Sequence, residues 1–179
     1  MKRSLLLLGF MSVVSLASAQ AIPKLKITAI EKMMVKGDSI LVINFWATFC
    51  KPCVAEIPHF ISIAKKYEDL KVKLVLVSVD LPSYYPAKIS AFAKKYHFNT
   101  NIAWLNETNA DYFCPKISEK WSGAIPATIM INTKTGYKKF FEDEMNAVQF
   151  EKELKLAIAK PTAIGQLHDH SIDLLNEPE

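Results

Sequence analysis

The chain has 179 residues, of which 50% are hydrophobic and 22% are charged, an ordinary globular composition. Its 22 basic and 18 acidic residues give a formal net charge of +4, and the lysines are scattered along the chain. So small a basic excess, without clustering on one face, gives no reason to expect a nucleic-acid partner.

The N-terminus has the pattern of a secretory signal peptide. Two basic residues, Lys2 and Arg3, precede an apolar run over residues 5–16, and a small-x-small triplet follows at 17–19. The run is shorter than the roughly 20 residues of a membrane-spanning helix. We therefore predict a signal peptide over residues 1–19 that is cleaved at its end, leaving an exported, periplasmic and soluble protein. An uncleaved N-terminal anchor is the alternative interpretation.

The first half of the remaining chain predicts two buried strands on either side of one long helix. Residues 27–36 have mixed periodicity that fits a strand or a short helix. Residues 40–47 (ILVINFWA) and 72–79 (VKLVLVSV) are near-continuous apolar runs, typical of strands covered on both faces. Between them, residues 53–67 have apolar positions at helical spacing, and Pro58 predicts a kink in that helix.

The second half predicts two further helices, a short strand and a hairpin. Residues 87–96 and 146–159 have the amphipathic spacing of helices, and residues 102–105 fit a short strand. Residues 106–121 are weakly patterned and predict one or two helical turns. Residues 127–141 read as a hairpin, with two short apolar strands around NTKTG. Strands that alternate with helices before a hairpin predict an α/β layered domain with a mixed sheet.

These elements form one predicted domain over residues 20–160, followed by a C-terminal tail over 161–179 without a clear pattern. The tail contains His168-Asp169-His170, which resembles a metal-binding motif. We expect no metal site there, because the motif lies in a segment that we predict to be flexible.

Two cysteines stand where the strand over 40–47 gives way to the following helix. Cys50 lies at the predicted N-terminal end of that helix, where free backbone N–H groups and the helix dipole favour a thiolate and lower its pKa. Cys53 comes one helical turn later, close enough to form a disulfide with Cys50. Pro52 is tolerated in a first helical turn and stiffens the loop. The pattern favours a reversible dithiol in which Cys50 attacks a substrate disulfide and Cys53 resolves the mixed disulfide.

Other uses of the pair are less favoured. A structural disulfide would close too short a loop to contribute much stability. A zinc site needs four ligands, and the sequence has no second CxxC or HxxxH. We expect no cofactor, because the cysteine pair itself carries two electrons.

The sequence around the pair resembles the thioredoxin superfamily and, more narrowly, the exported TlpA/ResA/CcmG-like thiol–disulfide oxidoreductases. The resemblance is carried by NFWATFCKPC, in which Phe49 stands where a tryptophan is commonest, by the following EIP at 56–58, and by GAIPATIMIN. It covers roughly residues 27–159. It implies a thioredoxin fold: a central mixed β-sheet flanked by helices on both faces, with an insertion between the CxxC helix and the cis-Pro strand.

The resemblance also implies a substrate-binding surface. Pro126 should be cis, and Ile125 should face Cys50 and pair through its backbone with a bound substrate strand. Lys51 and Pro52, between the cysteines, and Trp46 are the other candidates for substrate binding. A buried core tryptophan would give the same pattern at Trp46.

One departure from cytoplasmic thioredoxins concerns proton transfer. Those proteins usually carry a buried aspartate six residues before the first cysteine, where this chain has Asn44. Because an amide cannot accept a proton at neutral pH, we predict that Glu56 is the general base for Cys53, with a pKa raised by burial. The alternative is a solvated first-turn glutamate favoured by the helix dipole.

The expected function is therefore an exported thiol–disulfide oxidoreductase that acts as a reductase, for example in cytochrome c maturation. Its expected partners are protein thiol or disulfide clients and a membrane electron donor, and we expect a monomer. A disulfide donor of the same fold and a non-enzymatic copper-binding module are the alternatives. A peroxiredoxin is less favoured, since those enzymes lack such a closely spaced pair. The third cysteine, Cys114, is expected to be a free, buried and inert thiol, with a further redox position or an intermolecular bridge as alternatives.

Overall fold

A computed structural model describes residues 21–37 and 39–159, nearly all of the predicted domain over 20–160. The predicted signal peptide over 1–19, the tail over 161–179 and the tail's His168-Asp169-His170 motif lie outside the described residues. In the part that is described, no helix is long and apolar enough to cross a membrane.

Strands and helices alternate along the described chain as the sequence predicts. In chain order the elements are β1 (Lys24–Leu25), α1 (Ile27–Val35), β2 (Ile40–Trp46), α2 (Lys51–Lys66), β3 (Val72–Ser78), α3 (Ala87–Lys95), β4 (Asn101–Leu105), α4 (Ala110–Ile117), β5 (Ala127–Asn132), β6 (Tyr137–Phe141) and α5 (Ala147–Ile158).

Three details go beyond the sequence patterns. The ambiguous segment 27–36 is a helix, α1, which buries Ile27, Ile30 and Met34 at helical spacing. The long helix α2 begins two residues earlier than predicted, at Lys51, and continues through Pro58. Strand β1 was not predicted, because two residues are too short to show a periodicity.

The six strands form one mixed sheet in the order β1-β4-β3-β2-β5-β6. The first four of these are parallel to one another, whereas β5 runs antiparallel to β2 and to β6. Strand β2 lies inside the sheet and all seven of its residues are buried, which explains its unbroken apolar run. The region of the predicted insertion, between α2 and β5, includes β4, which lies between β1 and β3.

Helices cover both faces of the sheet, as the resemblance to thioredoxins implies. Helices α2, α3 and α5 pack on one face, and α1 and α4 pack on the other. On the first face the rings of Phe60 in α2 and Phe150 in α5 stack with their centroids 3.9 Å apart, and both side chains are fully buried. This stack fixes α2, the helix that follows the cysteine loop, against the rest of the domain.

We predict that Phe150→Ala lowers the free energy of unfolding by about 3–5 kcal/mol, because it removes a buried ring and leaves a cavity beside Phe60. Val148→Ala is the matched control, since Val148 lies on the same helix and is 78% exposed; its effect should stay within about 0.5 kcal/mol. Urea unfolding measures both changes. Equal stabilities of the two variants would contradict the role given to the stack.

Candidate active site

The end of β2 places Cys50 at the N-terminus of α2. After Trp46 the chain turns through Ala47–Phe49, and Cys50 is the N-cap residue of the helix, with extended backbone angles. The backbone N–H of Cys53 donates a hydrogen bond to Cys50 Sγ at 3.3 Å. The sulfur therefore takes the place of the oxygen with which a serine or aspartate commonly caps a helix. A negative charge on this sulfur would meet both that N–H group and the positive end of the helix dipole.

The two cysteines form the predicted disulfide but differ in their surroundings. Cys50 and Cys53 are joined with their Cα atoms 5.3 Å apart. Cys50 is 8% exposed, whereas Cys53 has no exposed surface. Between them, Lys51 and Pro52 are exposed. Of the two, only Cys50 has exposed surface, so it is the cysteine that a sulfur atom of another molecule can reach.

The loop before β5 meets the cysteine pair. The peptide bond between Ile125 and Pro126 is cis, which confirms the expectation drawn from the resemblance. The carbonyl oxygen of Ile125 lies 3.8 Å from Cys50 Sγ, so this residue faces Cys50 as expected. A second cis peptide bond, between Tyr85 and Pro86, had no signal in the sequence.

Trp46 lies in the core rather than at the surface of the site. Its side chain is fully buried, and its ring packs against those of Phe92 and Phe98 with centroid distances of 6.0 and 5.4 Å. Of the two interpretations of this residue, the structure favours the core tryptophan, which offers no exposed surface to a substrate.

Glu56 is a buried carboxylate with two hydrogen-bond partners. Only 1% of the residue is exposed. Asn44 Nδ2 donates to Oε1 and the backbone N–H of Met145 donates to Oε2, each at 2.8 Å. The pKa of Glu56 is raised to about 7, chiefly because burial disfavours the charged form; the negative charge of Glu144 contributes to the rise, and the two hydrogen bonds partly oppose it. The alternative of a solvated first-turn glutamate is therefore wrong.

Asn44 links this carboxylate to the strand that follows Pro126. Its Nδ2 group also donates to Thr128 Oγ1 at 3.0 Å. Thr128 lies opposite Asn44 in the antiparallel pairing of β2 with β5. The position of the thioredoxin aspartate is thus occupied by an amide that connects β2, α2 and β5.

Asp80 is a further residue of the site that no sequence pattern indicated. Its carboxylate accepts hydrogen bonds from the backbone N–H of Thr48 at 3.1 Å and from Thr48 Oγ1 at 2.7 Å. Asp80 follows β3 and Thr48 follows β2. Because these two strands are parallel, the segments after them lie at the same edge of the sheet. This contact fixes the loop that carries Cys50. It joins residues 32 positions apart, which no local pattern reveals.

Cys114 is a free and buried thiol, as expected. Burial, together with the negative charges of Glu142 and Asp111, raises the pKa of its thiol to about 11. Because the thiolate is the reactive form, this cysteine is unreactive near neutral pH. Among the described residues, no three His, Cys, Asp or Glu side chains are grouped so that they could hold a metal ion.

Comparisons with known proteins agree with this geometry. The model of the AhpC/TSA family matches residues 17–136. The thioredoxin-like protein YneN of Bacillus subtilis is 31% identical over 124 residues, which cover 68% of this chain and 66% of YneN. The thiol-disulfide oxidoreductase ResA of Halalkalibacterium halodurans is 26% identical over 138 residues, 75% of this chain and 70% of ResA. The chain thus spans about two thirds of the length of both relatives.

A solved structure shows the same fold. The thioredoxin-related protein from Neisseria meningitidis serogroup B is 25% identical and superimposes with a TM-score of 0.55, over 69% of this chain and 84% of that protein. The thioredoxin fold implied by the sequence is confirmed.

The raised pKa of Glu56 predicts that the stability of the oxidised protein depends on pH. Below pH 4.5 the carboxyl group is protonated in both the folded and the unfolded chain. Between pH 4.5 and about 7 only the folded chain keeps the proton, so the free energy of unfolding falls as the pH rises. A shift from 4.5 to about 7 corresponds to a loss of about 3 kcal/mol.

Urea unfolding at about pH 4 and about pH 8 measures this loss, with Glu56→Gln as the reference that cannot titrate. The difference in stability between wild type and variant should fall by the stated amount across the window. If wild type and variant lose stability in parallel, the titrating group is not Glu56.

Proposed function

We propose that this chain, which belongs to the AhpC/TSA family, is an exported thiol–disulfide oxidoreductase that reduces disulfides of other proteins. Its thioredoxin fold and its CxxC pair are features of thiol–disulfide oxidoreductases, and it is similar in sequence to one of them, ResA. The observation that carries the proposal is the asymmetry of the pair: Cys50 keeps a small exposed surface beside the cis-Pro loop, whereas Cys53 is fully buried on the helix face that carries Glu56.

Cys50 is the attacking residue in this proposal. In the reduced protein its thiolate is stabilised by the N–H group of Cys53 and by the N-terminus of α2. The thiolate attacks one sulfur of a client disulfide, and the other client sulfur leaves with the electron pair. The product is a mixed disulfide between Cys50 and the client.

Cys53 then resolves the mixed disulfide. Its sulfur attacks Cys50 Sγ, the client leaves as a thiol, and the Cys50–Cys53 disulfide forms. For this step Cys53 must lose a proton. Cys53 and Glu56 are three residues apart on α2 and both are buried, so they share its inward face. With a pKa of about 7, Glu56 can take up that proton near neutral pH.

The exposed residues around Cys50 form the proposed client-binding surface. The backbone of Ile125 pairs with an extended client strand, next to the cis peptide bond of Pro126. Lys51 and Pro52 border the cysteine on the helix side, and the ring of Phe49, 67% exposed, borders it on the loop side.

Export and the direction of electron flow are parts of the same proposal. The leader pattern over residues 1–19 supports export to the periplasm. The resemblance to TlpA/ResA/CcmG-like proteins supports a reductase that a membrane electron donor returns to the dithiol form. Cytochrome c precursors and wrongly bridged exported proteins are the proposed clients of the monomer.

We predict a reduction potential of about −270 mV or lower for the Cys50–Cys53 pair, in the range of a reductase that needs a dedicated donor. Equilibration with defined thiol–disulfide buffers measures it, and Cys114→Ser should give the same value because Cys114 takes no part. A potential of about −120 mV would make the protein a disulfide donor and overturn the proposed direction.

A second prediction concerns covalent intermediates. Cys53→Ala should accumulate mixed disulfides with exported proteins in cells, because Cys50 can attack but nothing resolves the product. Cys50→Ala should accumulate none, since Cys53 is buried. Non-reducing electrophoresis after acid quenching measures the adducts. Adducts on Cys50→Ala at the level of Cys53→Ala would contradict the roles assigned to the two cysteines.

A further inference from the structure

The loop that brings Ile125 to Cys50 is held by one carboxylate oxygen. Glu142 Oε1 accepts hydrogen bonds from the backbone N–H groups of Ser122 at 2.9 Å and Ala124 at 3.1 Å. It also accepts a hydrogen bond from the hydroxyl group of Ser122. Hydrogen bonds to an ionised carboxylate are stronger than those between neutral groups. Three donors of the loop therefore converge on a single charged acceptor.

The same loop is held from the core side by Trp121. Its indole N–H group donates to the carbonyl oxygen of Ala124 at 2.8 Å. The indole ring is buried and packs against Phe45, with a centroid distance of 4.5 Å. Ala124 is thus fixed through its N–H group by Glu142 and through its carbonyl group by Trp121. Ile125, the next residue, has little freedom to move away from Cys50.

The hairpin explains why residue 142 reaches this loop. In the antiparallel pairing of β5 with β6, Thr128 lies opposite Phe141. The residue after Phe141 therefore comes beside the start of β5, where the loop enters the strand. Ser122 and Ala124 are exposed, and Glu142 provides their N–H groups with a charged acceptor in place of water.

We infer that Glu142 is a positioning residue for client binding, which orders the loop so that the backbone of Ile125 can receive an extended client strand beside Cys50. The inference rests on the proposed function and adds to it a determinant of substrate class: clients with an extended main chain, as opposed to small disulfides. A loop that is already ordered before binding does not have to be ordered by the client. Removing Glu142 takes away this order and therefore weakens client binding. The thiol–disulfide exchange at Cys50 itself does not involve Glu142.

Two matched probes separate these effects. One is an extended model peptide whose single cysteine carries thionitrobenzoate in a mixed disulfide; the other is a blocked cysteine, without a peptide chain, that carries the same group. The Cys50 thiolate of the pre-reduced protein attacks the cysteine sulfur of either probe, and thionitrobenzoate, the better leaving thiol, departs with the electron pair. Cys53 then attacks Cys50 Sγ and releases the probe's cysteine, which takes up a proton. The coloured thionitrobenzoate gives the rate of the first step.

We expect Glu142→Ala to lower the rate constant for the peptide probe about tenfold, the effect of one or two main-chain hydrogen bonds, and to leave that for the blocked cysteine unchanged. Glu142→Gln keeps an oxygen acceptor and should retain most of the preference for the peptide. Asp143→Ala removes an adjacent exposed charge that takes no part in these hydrogen bonds and should behave as wild type. Amide exchange by NMR should show faster exchange at Ala124 in Glu142→Ala alone among the three variants.

An unchanged peptide preference in Glu142→Ala, or an equal fall of both rate constants, would overturn the inference. The proposed function fails in a different way, because a reduced wild-type protein that opens neither probe is not a thiol–disulfide oxidoreductase of this kind. The exchange rate at Ala124 is independent of either activity and reports directly on the loop.

Discussion

The site depends on the abrupt passage from a buried strand to a helix at the end of β2. Only the four residues 47–50 separate the fully buried β2 from α2, so the N-terminus of the helix must lie at the carboxyl edge of the sheet. Cys50 is the residue that caps this helix, and the Cys53 N–H group points at its sulfur. The hydrogen bonds of Thr48 to Asp80 stabilise this short connection. The stabilisation of a negative charge on the Cys50 sulfur thus follows from the short connection between β2 and α2.

The three cysteines show how far surroundings decide the chemistry of one side chain. Cys50 has a small exposed surface and a helix N-terminus beside it, whereas Cys53 is enclosed on the helix face of the buried Glu56. Cys114 is also buried, but it lies near two carboxylates, and burial with these charges raises its pKa to about 11. A thiolate is favoured at the first position and opposed at the last, although the covalent structures are identical.

The sequence predicts those parts of the fold and site that depend on neighbouring residues. The apolar runs of β2 and β3 and the CxxC spacing are local signals, and Pro126 was found through a family motif. The burial of Glu56 needed the packing of Met145, 89 residues away, and could only be offered as one of two interpretations. Asp80 and Glu142 were not singled out at all. Both act through hydrogen bonds to distant backbone groups, and single acidic residues at strand ends leave no periodic trace.

The segment between β4 and β5, in the region of the predicted insertion, belongs to the site itself. Helix α4 contributes Phe113, whose ring contacts that of Trp121 at a centroid distance of 5.6 Å, and Trp121 in turn holds Ala124. A side chain added at Gly123 would come within 3.8 Å of Cys114 Sγ, so α4 lies directly beneath the loop. The buried thiol of Cys114 therefore serves as packing under the loop that meets Cys50. Helix α4 thus supports the loop that meets the cysteine pair, although it carries no residue of the reaction.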